Sequence, residues 1–210
     1  MPVTEKFKKL FFNTKISLPR LGAFSLIIGA IVGIIMVPEF LQGTSLENMG
    51  VCFETWIFFA MIIILNCEKP VEAGFKTFIF FLISQPVIYL VQVPVSPLGW
   101  GLFGYYPRWF VLTLLTLPGG CIAWLCKKGN ILSAIIWSVA VLLLCFGELP
   151  YHLAQLFSGF PKQLLACMFI IAEVIILTFM IFKEKKLKIT VYSLAVAFTL
   201  AGMLYQWKIL

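Results

Sequence analysis

The sequence predicts an all-α integral membrane protein: a bundle of seven transmembrane helices, N-terminus cytoplasmic and C-terminus external, with spans three and four interrupted by Pro/Gly. Three observations predict it. The 210 residues are 61% hydrophobic and only 12% charged, against about 45–50% and about 25% in soluble domains. Seven apolar runs recur along the chain, each near the roughly 17–25 residues that cross a bilayer. The basic residues gather between alternate runs, as membrane topology requires.

Residues 1–20 come first, with Lys6, Lys8, Lys9, Lys15 and Arg20 around Leu10, Phe11 and Phe12. They read as a basic amphipathic cytoplasmic arm held on an anionic inner leaflet. Residues 21–210 read as a single seven-helix transmembrane domain. The first span, 21–37, places Gly29 and Gly33 four residues apart. That spacing lets a second helix backbone approach closely, and in a polytopic chain the expected partner is internal. The second span is placed at 51–67 and carries Glu54.

The third span, 75–93, contains Ser84-Gln85-Pro86; the fourth, 108–126, contains Thr116-Leu117-Pro118-Gly119-Gly120. Proline removes a backbone donor and frees a carbonyl four residues earlier. Pro86 lies roughly 15 Å beyond Lys76, and Pro118 roughly 13 Å before Lys127, at about 1.5 Å per residue. The two interruptions are therefore expected at matched depth. Between these spans, Pro94–Pro107 is rich in Pro, Gly and aromatics, which suits an interfacial belt or a lid. The last three spans are placed at 131–147, 164–182 and 189–206. With the N-terminus inside, 13 of the 16 basic residues fall on the cytoplasmic side. The chain is expected in the plasma membrane as a multi-pass protein, and its Lys, Ile and Phe usage suggests an AT-rich bacterial genome.

Composition also excludes functions. The net charge is +7, but only two of the basic residues are Arg, so nucleic acid is not the expected partner. There is no Asp, one His and no CxxC pair among the six Cys, so no zinc or redox motif is present. No metal and no cofactor is expected, and the cysteines read as buried thiols. P-loop, GxSxG and HExxH signatures are absent.

Candidate polar chemistry falls in two places. Gln85, Tyr89 and Gln92 share one face of the third span, and Thr113, Thr116 and Gly120 one face of the fourth. If those faces meet, they line an outward-facing cleft. Glu173 sits nine residues into the sixth span, and the only Lys or Arg within the spans, Lys76 and Arg108, stand at span ends. Intramembrane carboxylates are costly and mark functional sites. The second place is the outer rim, where Glu54, Arg108, Glu148 and His152 can gather. Glu148 and His152 are four residues apart, although Pro150 disturbs the helix which that spacing assumes.

The leading expectation is a small transporter, or a substrate-binding membrane subunit, for a polar solute. Gln85, Tyr89, Gln92, Thr113 and Thr116 would orient the solute, and Glu173 would be its midplane carboxylate. The alternatives are a membrane enzyme acting on a lipid or lipid-linked substrate at the outer leaflet, and a non-catalytic partner of another membrane protein. For the enzyme, Glu148 and His152 are the catalytic candidates, with Glu54 and Arg108 on the rim. Catalysis is not the favoured reading.

Overall fold

A computed structural model describes residues 16–158 and 161–207. The basic arm therefore lies largely outside the described residues. Among those residues every regular element is helical. In chain order the α-helices are α1 (Leu18–Ile35), α2 (Ser45–Val51), α3 (Phe53–Leu65), α4 (Pro70–Gln92) and α5 (Tyr106–Ala123). They are followed by α6 (Ile131–Leu142), α7 (Leu149–Phe157), α8 (Leu164–Ile181) and α9 (Lys185–Trp207).

All seven apolar runs are helical, but six helical stretches, not seven, are long and apolar enough to cross a membrane. The chain is a polytopic membrane protein on that ground. The exception is the run placed at 51–67. Its helix, α3, has 13 residues, about 20 Å of rise, against a hydrocarbon core of about 30 Å. The helix path breaks at Cys52, whose ψ of 167° is extended rather than helical.

Helix starts follow local chemistry. α4 begins with Pro70, and Glu72 reaches back to accept from the amides of Glu68 at 2.8 Å and Lys69 at 3.4 Å. α6 begins with a reciprocal pair: Ser133 N donates to Asn130 Oδ1 at 3.1 Å, and Asn130 N donates to Ser133 Oγ at 3.2 Å. Each satisfies amides that a helix start leaves without partners.

The expected interruptions of spans three and four are not breaks. α4 runs through Pro86, and α5 runs through Pro118. An interior proline costs one hydrogen bond and some strain, and these long helices absorb it.

The chain forms two compact units. The first comprises residues 16–42 and 60–124. In it α4 packs against both α1 and α5. Gly29 and Gly33 lie on α4: a Cβ on Gly29 would sit 2.6 Å from the Ser84 carbonyl oxygen, and one on Gly33 would sit 2.9 Å from that of Ile88. The GxxxG pair thus makes an internal helix contact. On the other side of α4, Gly74 faces Gly120, where a Cβ would come within 2.9 Å of the Gly74 Cα. The glycines of the Pro118-Gly119-Gly120 stretch therefore include one that serves close packing. Residues 99–105 form a 3₁₀ helix that leads into α5. Phe103 packs on Tyr89 at 5.6 Å between ring centroids and on Tyr106 at 6.3 Å.

The second unit comprises residues 43–59 and 125–207, less 159–160. α8 packs against α2 and α7, and α9 against α6 and α7. Its core includes Trp137, Val141, Leu144, Ile170 and Leu177. The indole of Trp137 donates to Thr178 Oγ1 at 2.8 Å. Between α6 and α7 the chain stays helical but widens into a π-helical turn, Leu143–Glu148. There Leu149 N donates to Leu144 O, five residues back. Pro150 then falls in the first turn of α7, where a missing N–H leaves no bond unmade. It does not disturb the helix as the spacing argument supposed. Gly202 of α9 lies against this turn, with no room for a Cβ beside Phe146 O and Pro150 Cγ.

Candidate functional site

The two irregular places in the second unit carry its polar chemistry. The break between α2 and α3 supplies Cys52 and Glu54. The π turn and the start of α7 supply Glu148 and His152. One ligand atom from each of these four residues lies within 4.8 Å of the others. Glu54 and His152 are fully buried, each 0% exposed, while Cys52 and Glu148 are half-buried.

Gln163, just before α8, sets the direction of the imidazole. Its Nε2 donates to Gly43 O at 2.8 Å, which fixes the amide. Its Oε1 then accepts from Asn48 Nδ2 at 3.0 Å and faces His152 Nδ1 at 3.1 Å. A carbonyl oxygen only accepts, so Nδ1 carries the proton. In the neutral ring Nε2 is left with a free lone pair, 3.5 Å from Glu54 Oε1. Neither carboxyl oxygen of Glu54, nor His152 Nε2, has a hydrogen-bond partner. A buried polar atom without a partner costs about 1–3 kcal/mol, so this pocket of acceptors is an unpaid debt in the folded chain.

Glu148 is better served. It accepts from Phe53 N at 3.5 Å and lies within 4.8 Å of the Cys52 thiol. Cys52 itself faces the carboxylates of Glu148 and Glu54. Thiolates are stabilised by cations and helix N-termini, so two carboxylates make Cys52 a poor bare nucleophile. Glu173 on α8 is 2% exposed, with neither oxygen partnered.

No protein-family model, characterised protein or solved structure matches the chain significantly.

The remaining expected site residues lie in the first unit. Thr113 Oγ1 donates to Trp109 O at 2.9 Å, and Thr116 Oγ1 to Thr113 O at 2.6 Å. Gln92 Nε2 donates to Ile88 O at 3.2 Å and reaches Met36 Sδ at 3.8 Å. These side chains bond largely to their own helices. Tyr89 is enclosed by Phe103 and Tyr106. Gln85 is different: it is buried and its Nε2 has no partner. Thr77 and Ser84 on the same helix are also buried and unpartnered. Arg108 is exposed on α5.

Sequence reasoning missed two members of the site. Cys52 looked like one more small apolar residue at the edge of a greasy run. Gln163 looked like loop. The signal available for Cys52 was its place two residues before Glu54, at a run too short to need a polar start.

A cavity of about 510 Å³ opens in the same unit. It is lined by Cys145, Leu149, Val174, Tyr192, Ala195 and Thr199 among others. Leu149 directly follows Glu148, and Val174 directly follows Glu173.

Proposed function

We propose that this polytopic membrane protein is an enzyme acting on a lipid or lipid-linked substrate, with its chemistry at His152, Glu54 and Glu148. The observation that carries the reading is the imidazole fixed by Gln163, with Nε2 turned to a buried carboxylate. With Nδ1 held by Gln163, Nε2 is the ring's one basic atom; it acts as a general base once water enters between it and Glu54. In an ester hydrolysis, Nε2 takes a proton from water while the water oxygen bonds to the acyl carbon. The proton then passes to the leaving oxygen as its bond to the acyl carbon breaks, releasing the acid and the alcohol. Glu54 faces the imidazolium that forms between those steps. The apolar cavity of the same unit, lined by Leu149, Val174 and Ala195 among others, suits an acyl chain.

The test is turnover of fluorescent acyl-phospholipids by the purified full chain in proteoliposomes. Activity that falls by about 10²–10⁴-fold in His152→Ala and persists in Glu173→Gln supports the reading. Wild-type turnover no higher than that of empty vesicles overturns it.

A second reading, a transporter for a polar solute, is favoured by Glu173, whose buried carboxyl has no partner. Under that reading Glu173→Gln abolishes pH-dependent uptake and His152→Ala does not.

A further inference from the structure

We infer that Cys52, Glu54, Glu148 and His152 form a binding site for one divalent transition-metal ion of the zinc class. The inference rests on the reading of this cluster as the functional site and changes the role of His152 Nε2 there, from proton acceptor to metal ligand.

The donor set is one sulfur, one imidazole nitrogen and two carboxylates. Zinc and its neighbours take this mixture of donors. Calcium and magnesium are disfavoured, because they select all-oxygen shells. The spacing also fits. Metal–donor bonds of about 2.0–2.3 Å in a tetrahedron place donors about 3.3–3.7 Å apart. The four atoms here lie within 4.8 Å of one another, so closing on an ion takes about 1 Å of side-chain movement relative to that tetrahedron.

The decisive feature is what the buried atoms lack. His152 Nε2 and Glu54 Oε1 face each other at 3.5 Å. Gln163 reserves the ring proton for Nδ1, so the neutral ring presents a lone pair to a carboxylate oxygen. Both Glu54 oxygens and Nε2 are without hydrogen-bond partners. A cation between them satisfies all three atoms. Gln163 then plays the part that an outer hydrogen-bond partner plays for a metal-bound histidine, holding its tautomer and ring plane. The half-burial of Cys52 and Glu148 puts the accessible side of the ion at those two residues, opposite the fully buried pair.

The experiment uses the purified full chain in detergent, stripped with a chelator and titrated with Zn²⁺ or Co²⁺. Expected are one equivalent bound per chain, a rise in the unfolding temperature on loading, and a cobalt spectrum with a sulfur-to-metal charge-transfer band. Cys52→Ser removes that band. Glu54→Gln and His152→Asn each abolish stoichiometric loading, and Gln163→Leu weakens it about 10–100-fold. Cys121→Ser, a thiol of the other unit, leaves loading unchanged. The unfolding measurement on wild-type protein needs no variant, so a misfolded mutant does not blunt the test. Substoichiometric binding by the wild-type chain, or a spectrum indifferent to Cys52→Ser and His152→Asn, overturns the inference. Lipid turnover that survives chelation overturns the metal and keeps the acid–base reading. Stoichiometric loading without turnover keeps the metal and overturns the enzyme.

Discussion

The two units treat polar and helix-breaking residues in opposite ways. In the first, Pro86, Pro118, Gly120, Thr113 and Thr116 are absorbed. The helices run on, Gly120 becomes a packing surface for Gly74, and Thr113 and Thr116 bond to their own backbone. In the second, irregularities arise with no proline inside them, at Cys52 and in the Leu143–Glu148 turn, and polar side chains meet there unsatisfied. A breaker in the sequence is thus a poor guide to a site. A backbone irregularity that brings unpaired side chains together is a better one, and π turns in particular recur at functional places.

Four substitutions break or sharpen this contrast. Gly120→Val carries the largest expected effect on stability. Its Cβ meets backbone atoms of Gly74, which cannot swing aside, so we expect a loss of about 3 kcal/mol, read as the fall in detergent-resistant monodisperse protein. A well-behaved Gly120→Val would show that α4 and α5 are not packed through these glycines. In the second unit, Gly202→Ala presses on Phe146 O and Pro150 Cγ. A loss of about 1–3 kcal/mol is expected, and lipid turnover or metal loading should fall with it because the π turn carries Glu148. Intact loading at reduced stability would separate the turn from the site.

Gln85→Leu tests the first unit from the other direction. It removes a buried amide with an unpartnered nitrogen, so thermal stability should rise by about 1 kcal/mol. Loss of function in a stabilised protein would make Gln85 part of a polar path and move the contrast towards transport. Thr116→Val should be smallest, within about 0.5 kcal/mol and silent in function, because its hydroxyl serves only its own helix. A large effect there would restore the cleft that the polar stripes suggested.

Much of the fold was legible. Apolar length located every long helix, and the Gly29–Gly33 spacing located a close helix contact. The second span was misjudged because hydropathy reports composition and not continuity. Val51–Cys67 is apolar apart from Glu54, Thr55 and Asn66, and no Pro marks the bend at Cys52, where the nearest breaker is Gly50. The site was half legible. Glu148 and His152 announced themselves as polar residues four apart, and Glu54 as a charge at a span's edge. Their convergence with Cys52 depends on long-range packing between residues about a hundred positions apart, which local pattern does not encode. The fixed tautomer of His152 depends on Gln163, whose amide is oriented by Gly43 and Asn48; that too is tertiary information.

The bend at Cys52 has a consequence for angular phase. Successive residues of an α-helix are turned by about 100°, so positions 52 and 54 of one unbroken helix would point about 200° apart, to opposite sides. An extended ψ at Cys52 cancels that phase and lets thiol and carboxylate address one point from adjacent backbone. Straightening this stretch into a single helix would leave every residue of the cluster in the chain and still send two of its four donors in different directions.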